Sequence, residues 1–253
     1  MAPTTIEYCA LSAAVYEGSV PNGWKKLPGG WYAPHPESFC GQAYIKGNEI
    51  VLAIRGTANI QDVETDVLLV LKQKGIHFEH VMEFYHRAIF SNPPYNNYEK
   101  YPFSITGHSL GGALAQYLSC MLCINNNKPF PTETFNAPGI IGLDNSIASD
   151  PGTGIINRMR AADIVPTVGT HVGSRVLYSP SDYPRGLTGA ALSVAAAAVT
   201  WRAGLRAKAG ANVFAHTVGN ELAQHSISYF YEDLCNGKAY PIDPFNPNDP
   251  NMA

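Results

Sequence analysis

Phe103-Ser104-Ile105-Thr106-Gly107-His108-Ser109-Leu110-Gly111-Gly112 joins an apolar, strand-like run to a helix-like run reaching Ile124. At the join stands G-x-S-x-G, a pattern that arises by chance in roughly one chain in eight of this composition, so its setting decides its meaning. A serine between a buried strand and a helix start has a mechanical reading, because the turn is sharp and the hydroxyl is presented at its tip. Side chains on the neighbours would strike strand or helix, and Gly107, Gly111 and Gly112 remove them. The turn also aims Ser109 at the positive end of the helix, where a developing negative charge is stabilised. The plain alternative is a glycine-rich turn with an ordinary serine.

Outward from the turn, strands and helices alternate. Thr4–Tyr16 places Ile6, Cys9, Ala10, Ala13 and Ala14 on one helical stripe. Gly18–Pro36, with four prolines and four glycines, reads as a long surface connection. Phe39–Lys46 and Glu49–Arg55 are strand-like and joined by Gly47-Asn48, a hairpin signal, and the run Ile50–Ile54 is apolar throughout, as in a strand buried on both faces. Phe78–Phe90 is helix-like, and Thr132–Asn136 and Ile155–Ala161 complete the expected strands. The alternation predicts an α/β chain with a mostly parallel central sheet flanked by helices.

The 253 residues carry 45 % hydrophobic and 15 % charged side chains, enough for a large core and too apolar for disorder or a coiled coil. A net charge of −3 gives no field that would recruit nucleic acid, so none is expected as a partner. Five cysteines, an odd number, argue against a disulfide framework. The first residues have no basic region ahead of their apolar stretch and carry Glu7 within it, so no signal peptide is expected. A cytoplasmic location follows by default, with leaderless secretion as the other route.

Taken together, Arg55-Gly56-Thr57, Gly107-His108-Ser109-Leu110-Gly111-Gly112 and Ala162-Asp163-Ile164-Val165-Pro166 resemble the landmarks of the class 3 lipases, the group of the fungal triacylglycerol lipases. Tyr8–Tyr16 and Thr134-Phe135-Asn136-Ala137-Pro138-Gly139 fit the same resemblance, which spans roughly Tyr8 to Tyr231. The family usually has Gly where this chain has Asn136, a basic residue at Gly139 and often Trp at Val63. The resemblance implies an α/β-hydrolase fold in one domain over 1–238 with a lid near 58–68, and composition adds an apolar insertion near 187–209 and a Pro/Asn-rich tail over 239–253.

A serine nucleophile needs a base, and the base an orienting acid, in the chain order Ser, Asp or Glu, His. Asp163 follows a strand-like segment directly, so it stands at a strand's carboxyl end, where such sheets build sites; the resemblance selects it too. His225, ahead of Ser226-Ile227-Ser228-Tyr229, resembles the family's late base; His216 and His171 compete with it. Leu110 offers one oxyanion donor through its backbone N–H. The resemblance implies Thr57 as the other and makes Asn59–Val67 the lid, with Ile60, Val63 and Val67 beneath and Gln61, Asp62 and Glu64 outside.

His77, His80 and His86 lack metal-site spacing, and Cys120-x-x-Cys123 has no second pair, so no metal is expected. No dinucleotide or phosphate-loop motif calls for a cofactor. The expected activity is a serine ester hydrolase, a lipase or esterase cleaving acyl esters of lipids through an acyl-enzyme. The partners are a lipid or small ester and a transient membrane or micelle interface. Phospholipase A and acyltransferase chemistry use the same residues, and a silent hydrolase fold kept for binding is the alternative from another class. Leu187–Trp201 carries no charge and, at 15 residues, is short of a ~20-residue membrane span, so it reads as a buried or interfacial helix.

Overall fold

The computed structural model describes residues 2–35, 39–56, 76–141, 147–160, 163, 165–179, 226–237 and 240–242. One sheet takes eight strands in sequence order: β1 (Lys25–His35), β2 (Phe39–Lys46), β3 (Glu49–Ile54), β4 (Phe103–His108), β5 (Thr132–Phe135), β6 (Ile155–Arg160), β7 (Ser174–Ser179) and β8 (Tyr240–Ile242). The pairs from β3 to β7 are parallel, while β1–β2, β2–β3 and β7–β8 are antiparallel. Among the described residues the α-helices are α1 (Thr5–Glu17), α2 (Ile76–Tyr85), α3 (Leu110–Asn126) and α4 (Ile227–Cys235).

Alternation along β3 explains how the sheet is clothed. Ile50, Leu52 and Ile54 enter a core with Val81 and Phe84 of α2 and Leu114 and Leu118 of α3. Val51 and Ala53 face the other way, toward Leu11 and Val15 of α1 and Phe230 of α4. Both faces are therefore buried, as the unbroken apolar run predicts. Each such side chain, fully buried, contributes about 1.5–3 kcal/mol relative to exposure.

Helix α1 starts at a capping box: Glu7 N–H donates to Thr4 Oγ1 at 3.3 Å and Thr4 N–H returns to Glu7 Oε2 at 2.9 Å. It ends at Gly18, whose φ of 73° needs no Cβ and whose N–H reaches the Ala14 carbonyl. Its polar inward residue is absorbed by the neighbouring strand, with Ser12 Oγ 2.8 Å from Thr106 Oγ1.

Two expectations change. Gly18–Pro36 is not all connection, because 25–35 forms β1 at the sheet's edge. An edge strand tolerates Pro28 and register breaks between Lys26 and Trp31 and between Tyr32 and His35, which hid its period. Strand β7 was not expected, since Ser174–Ser179 is short and its polar and apolar residues follow a glycine-rich stretch. Within 239–253, residues 240–242 join the sheet beside β7. Thr57, the lid at 58–68, the insertion at 187–209, His216 and His225 lie outside the described residues.

Candidate active site

Ser109 lies between β4 and α3 with φ 58° and ψ −131°, a conformation costly for any residue with a side chain. Packing holds it there. Ser109 N–H donates to the Phe135 carbonyl of β5 at 3.0 Å, and the Ser109 carbonyl accepts from Gly112 N–H at 2.9 Å. Its hydroxyl oxygen is buried and makes no hydrogen bond among the described residues. An orphaned polar atom in a strained turn at a helix head is costly, and it suits a nucleophile awaiting a base and a substrate.

The three glycines are explained atom by atom. A Cβ on Gly107 would stand 2.3 Å from the Gly111 carbonyl oxygen, and one on Gly112 would stand 2.5 Å from the Ala137 Cβ. A Cβ on Gly111 would come within 2.1 Å of the Ile54 carbonyl oxygen and 2.8 Å of Gly56 N. The first turn of α3 therefore rests directly on the backbone that leaves β3. That contact brings the Leu110 N–H, one of the helix-head donors without an intrahelical acceptor, beside the segment that enters Thr57. Gly111→Ala must push these backbones apart. It is expected to cost about 3 kcal/mol of folding stability, the upper end for an overpacked site, read as a lower denaturant midpoint with unchanged slope.

Asp163 is 4 % exposed, just past the end of β6. Its N–H donates to the Arg160 carbonyl at 3.1 Å, and its Oδ1 accepts the Val165 N–H at 2.9 Å, so the turn orients the carboxylate. Arg160 reaches Asp233 of α4 through Nη2 at 2.9 Å, an ion pair buried at both ends. The strand that leads to Asp163 is thus tied to the helix that follows residue 225 in sequence. This pair has no local sequence signal, since its partners belong to distant elements.

His171 is removed from the contest for base. Its Nε2 stands 2.8 Å from the Pro166 carbonyl oxygen, which can only accept, so Nε2 carries the proton. Its Nδ1 is shut off from water. Burial holds the imidazole at about 4, below the ordinary 6.5. Between those values the unfolded chain binds a proton that the folded chain refuses. The stabilising contribution is therefore complete above the unfolded value and is lost as pH falls toward 4. His171→Gln is expected to flatten this loss, so that the drop in urea midpoint from pH 7 to pH 4.5 is smaller than in the parent protein.

The departures from the lipase landmarks are accommodated. Asn136 has φ 47°, a left-handed conformation that asparagine tolerates better than most, and its Oδ1 accepts the Arg160 N–H at 2.9 Å. At Gly139 a Cβ would meet the Thr170 carbonyl carbon at 2.3 Å, so no basic side chain fits. Among the described residues no three His, Cys, Asp or Glu side chains gather as a metal site, and no helix is long and apolar enough to cross a membrane. The five cysteines are free thiols.

The family model of the Tle-like phospholipase domain matches residues 7–171. Among solved structures, Lip2 lipase from Yarrowia lipolytica is 20 % identical, with 70 % of this chain and 77 % of that one covered and a TM-score of 0.47. A lipase from Rhizopus microsporus var. chinensis is 17 % identical over 71 % and 74 %, also at 0.47. A triacylglycerol lipase from Penicillium expansum is 17 % identical over 68 % and 77 %, again at 0.47. No curated protein sequence matches.

Proposed function

Because the chain belongs to the family of Tle-like phospholipase domains, we propose that it is a serine hydrolase that cleaves acyl esters of lipids, glycerophospholipids first among them. The observation that carries the reading is Ser109: strained, buried, at the head of α3, with its hydroxyl oxygen unpartnered among the described residues. His225 takes the hydroxyl proton as Oγ attacks the ester carbonyl carbon, and Asp163 orients and stabilises the imidazolium. The oxyanion is held by the Leu110 N–H and by Thr57. Collapse breaks the bond to the leaving alcohol, which takes the proton from His225 and leaves Ser109 acylated. Water then attacks with the same base, giving the fatty acid. An alcohol in place of water gives acyl transfer through the same residues.

Labelling with a fluorophosphonate, beside fatty-acid release from phosphatidylcholine vesicles and a triacylglycerol emulsion, tests the reading. One labelled serine, Ser109, and release from vesicles are expected. An unlabelled Ser109 with no release from either lipid overturns it.

A further inference from the structure

Tyr16, in the last turn of α1, is joined to the turn around Ser109 by contacts that the triad does not use. Arg55 N–H donates to the Cys40 carbonyl at 2.9 Å, so the chain is held to the sheet up to that residue. The next N–H, that of Gly56, donates to Tyr16 Oη at 2.8 Å. The same oxygen is 3.2 Å from His108 Nδ1 and 3.5 Å from the His108 carbonyl oxygen. A phenol has one hydrogen. With its oxygen accepting from Gly56, that hydrogen is left for His108, whose Nδ1 and carbonyl oxygen both stand within reach. Burial pushes the Tyr16 phenol above its ordinary range, so it keeps the hydrogen at any working pH.

One oxygen thus bridges the residue before Ser109 and the residue before Thr57. The bridge stands on a firm base, because Ser12 of the same helix bonds Thr106 of β4 and the two rings of Tyr16 and His108 meet edge-on, 5.9 Å between centroids. There is no slack on the far side either. A Cβ on Gly56 would lie 2.6 Å from Tyr16 Oη, 2.9 Å from the His108 carbonyl oxygen and 3.2 Å from the Ser109 Cβ. Oxyanion donors act only when they lie within about 2.7–3.1 Å of the place where the charge develops, so a shift of a few tenths of an ångström between their two carriers is costly.

We propose that Tyr16 is a positioning residue for the oxyanion hole, its hydroxyl fixing the distance between the peptide that enters Thr57 and the turn that carries Ser109 and Leu110. The proposal rests on the reading of Ser109 as nucleophile and of Leu110 and Thr57 as the two donors. It adds a part that neither the triad nor the helix head supplies, contributed by the first helix of the chain.

Tyr16→Phe keeps the ring and removes one oxygen. It is expected to lower kcat by about ten- to hundredfold, short of the 10²–10³ lost with a whole donor, with KM within twofold of the parent. The inhibition constant of an alkylboronic acid, whose tetrahedral adduct on Ser109 sets an oxygen in the hole, should weaken in the same proportion. A helix that merely packs would not move the two together. Gly56→Ala, whose Cβ would strike Tyr16 Oη first, is the second variant, for the case in which Tyr16→Phe does not fold; it should lower kcat and weaken boronate binding in the same proportion. A kcat within twofold of the parent overturns the proposal, as does a loss confined to KM with boronate affinity unchanged. Fluorophosphonate labelling of the parent separates the two levels. No adduct on Ser109 sinks the nucleophile and Tyr16 with it, whereas an adduct formed at the parent's rate in Tyr16→Phe sinks Tyr16 alone.

Discussion

Ser109→Ala is expected to lower kcat for lipid ester hydrolysis by about 10⁴–10⁶ while the protein stays folded. The size follows from chemistry: without Oγ no acyl-enzyme forms, and what remains is a hole and a pocket that act on water alone. The unchanged fold follows from packing. Alanine at 109 suffers the same positive φ as serine, and the burial of an unpartnered hydroxyl oxygen is relieved. A thermal midpoint equal to or above that of the parent, with fatty-acid release gone, is the expected pair of results. Activity within tenfold of the parent would remove Ser109 from the reaction.

His225→Ala is expected to match that loss, and Ser109→Ala/His225→Ala to fall no further, because nucleophile and base act as one unit and their effects do not add. His216→Ala should cost far less, and His171 is already committed to the Pro166 carbonyl. The pH profile carries the same test: the acid limb of kcat/KM in the parent reports the base, and in His225→Ala it should vanish along with the rate. If His216→Ala brings the larger loss, the base moves to that residue and the serine mechanism stands.

What could be read in advance followed the range of the interactions. The elbow was legible because its three glycines answer backbone contacts within a few residues or against the neighbouring strand, and such contacts leave a fixed spacing in the chain. The place of Asp163 past a strand's carboxyl end was legible because a strand-like run leads directly to it. Strand β1 was not, since Pro28, Gly29 and Gly30 erase a two-residue period that only an edge position tolerates. Tyr16 lies within the Tyr8–Tyr16 stretch of the family resemblance, yet its partners, Gly56 and His108, lie 40 and 92 residues away. The Arg160–Asp233 pair was hidden for the same reason. Asn136 looked like a departure until its left-handed backbone and its bond to Arg160 gave asparagine a reason to stand there.

The two-sided clothing of the sheet has a consequence for how the chain comes into being. The face that bears α2 and α3 takes its helices from residues close in sequence to the strands they cover. The opposite face is closed by α1 and by α4, whose Phe230 sets its ring against Phe135 and Tyr178. During synthesis, which runs at about 5–20 residues per second, Phe135 emerges long before residue 230. For that interval Phe135 lacks the ring that covers it in the folded protein, and apolar surface of this face stays exposed on the nascent chain. Among the described helices α4 is the last in the chain, so this side of the sheet that carries Ser109 is covered only after residue 230 has been made.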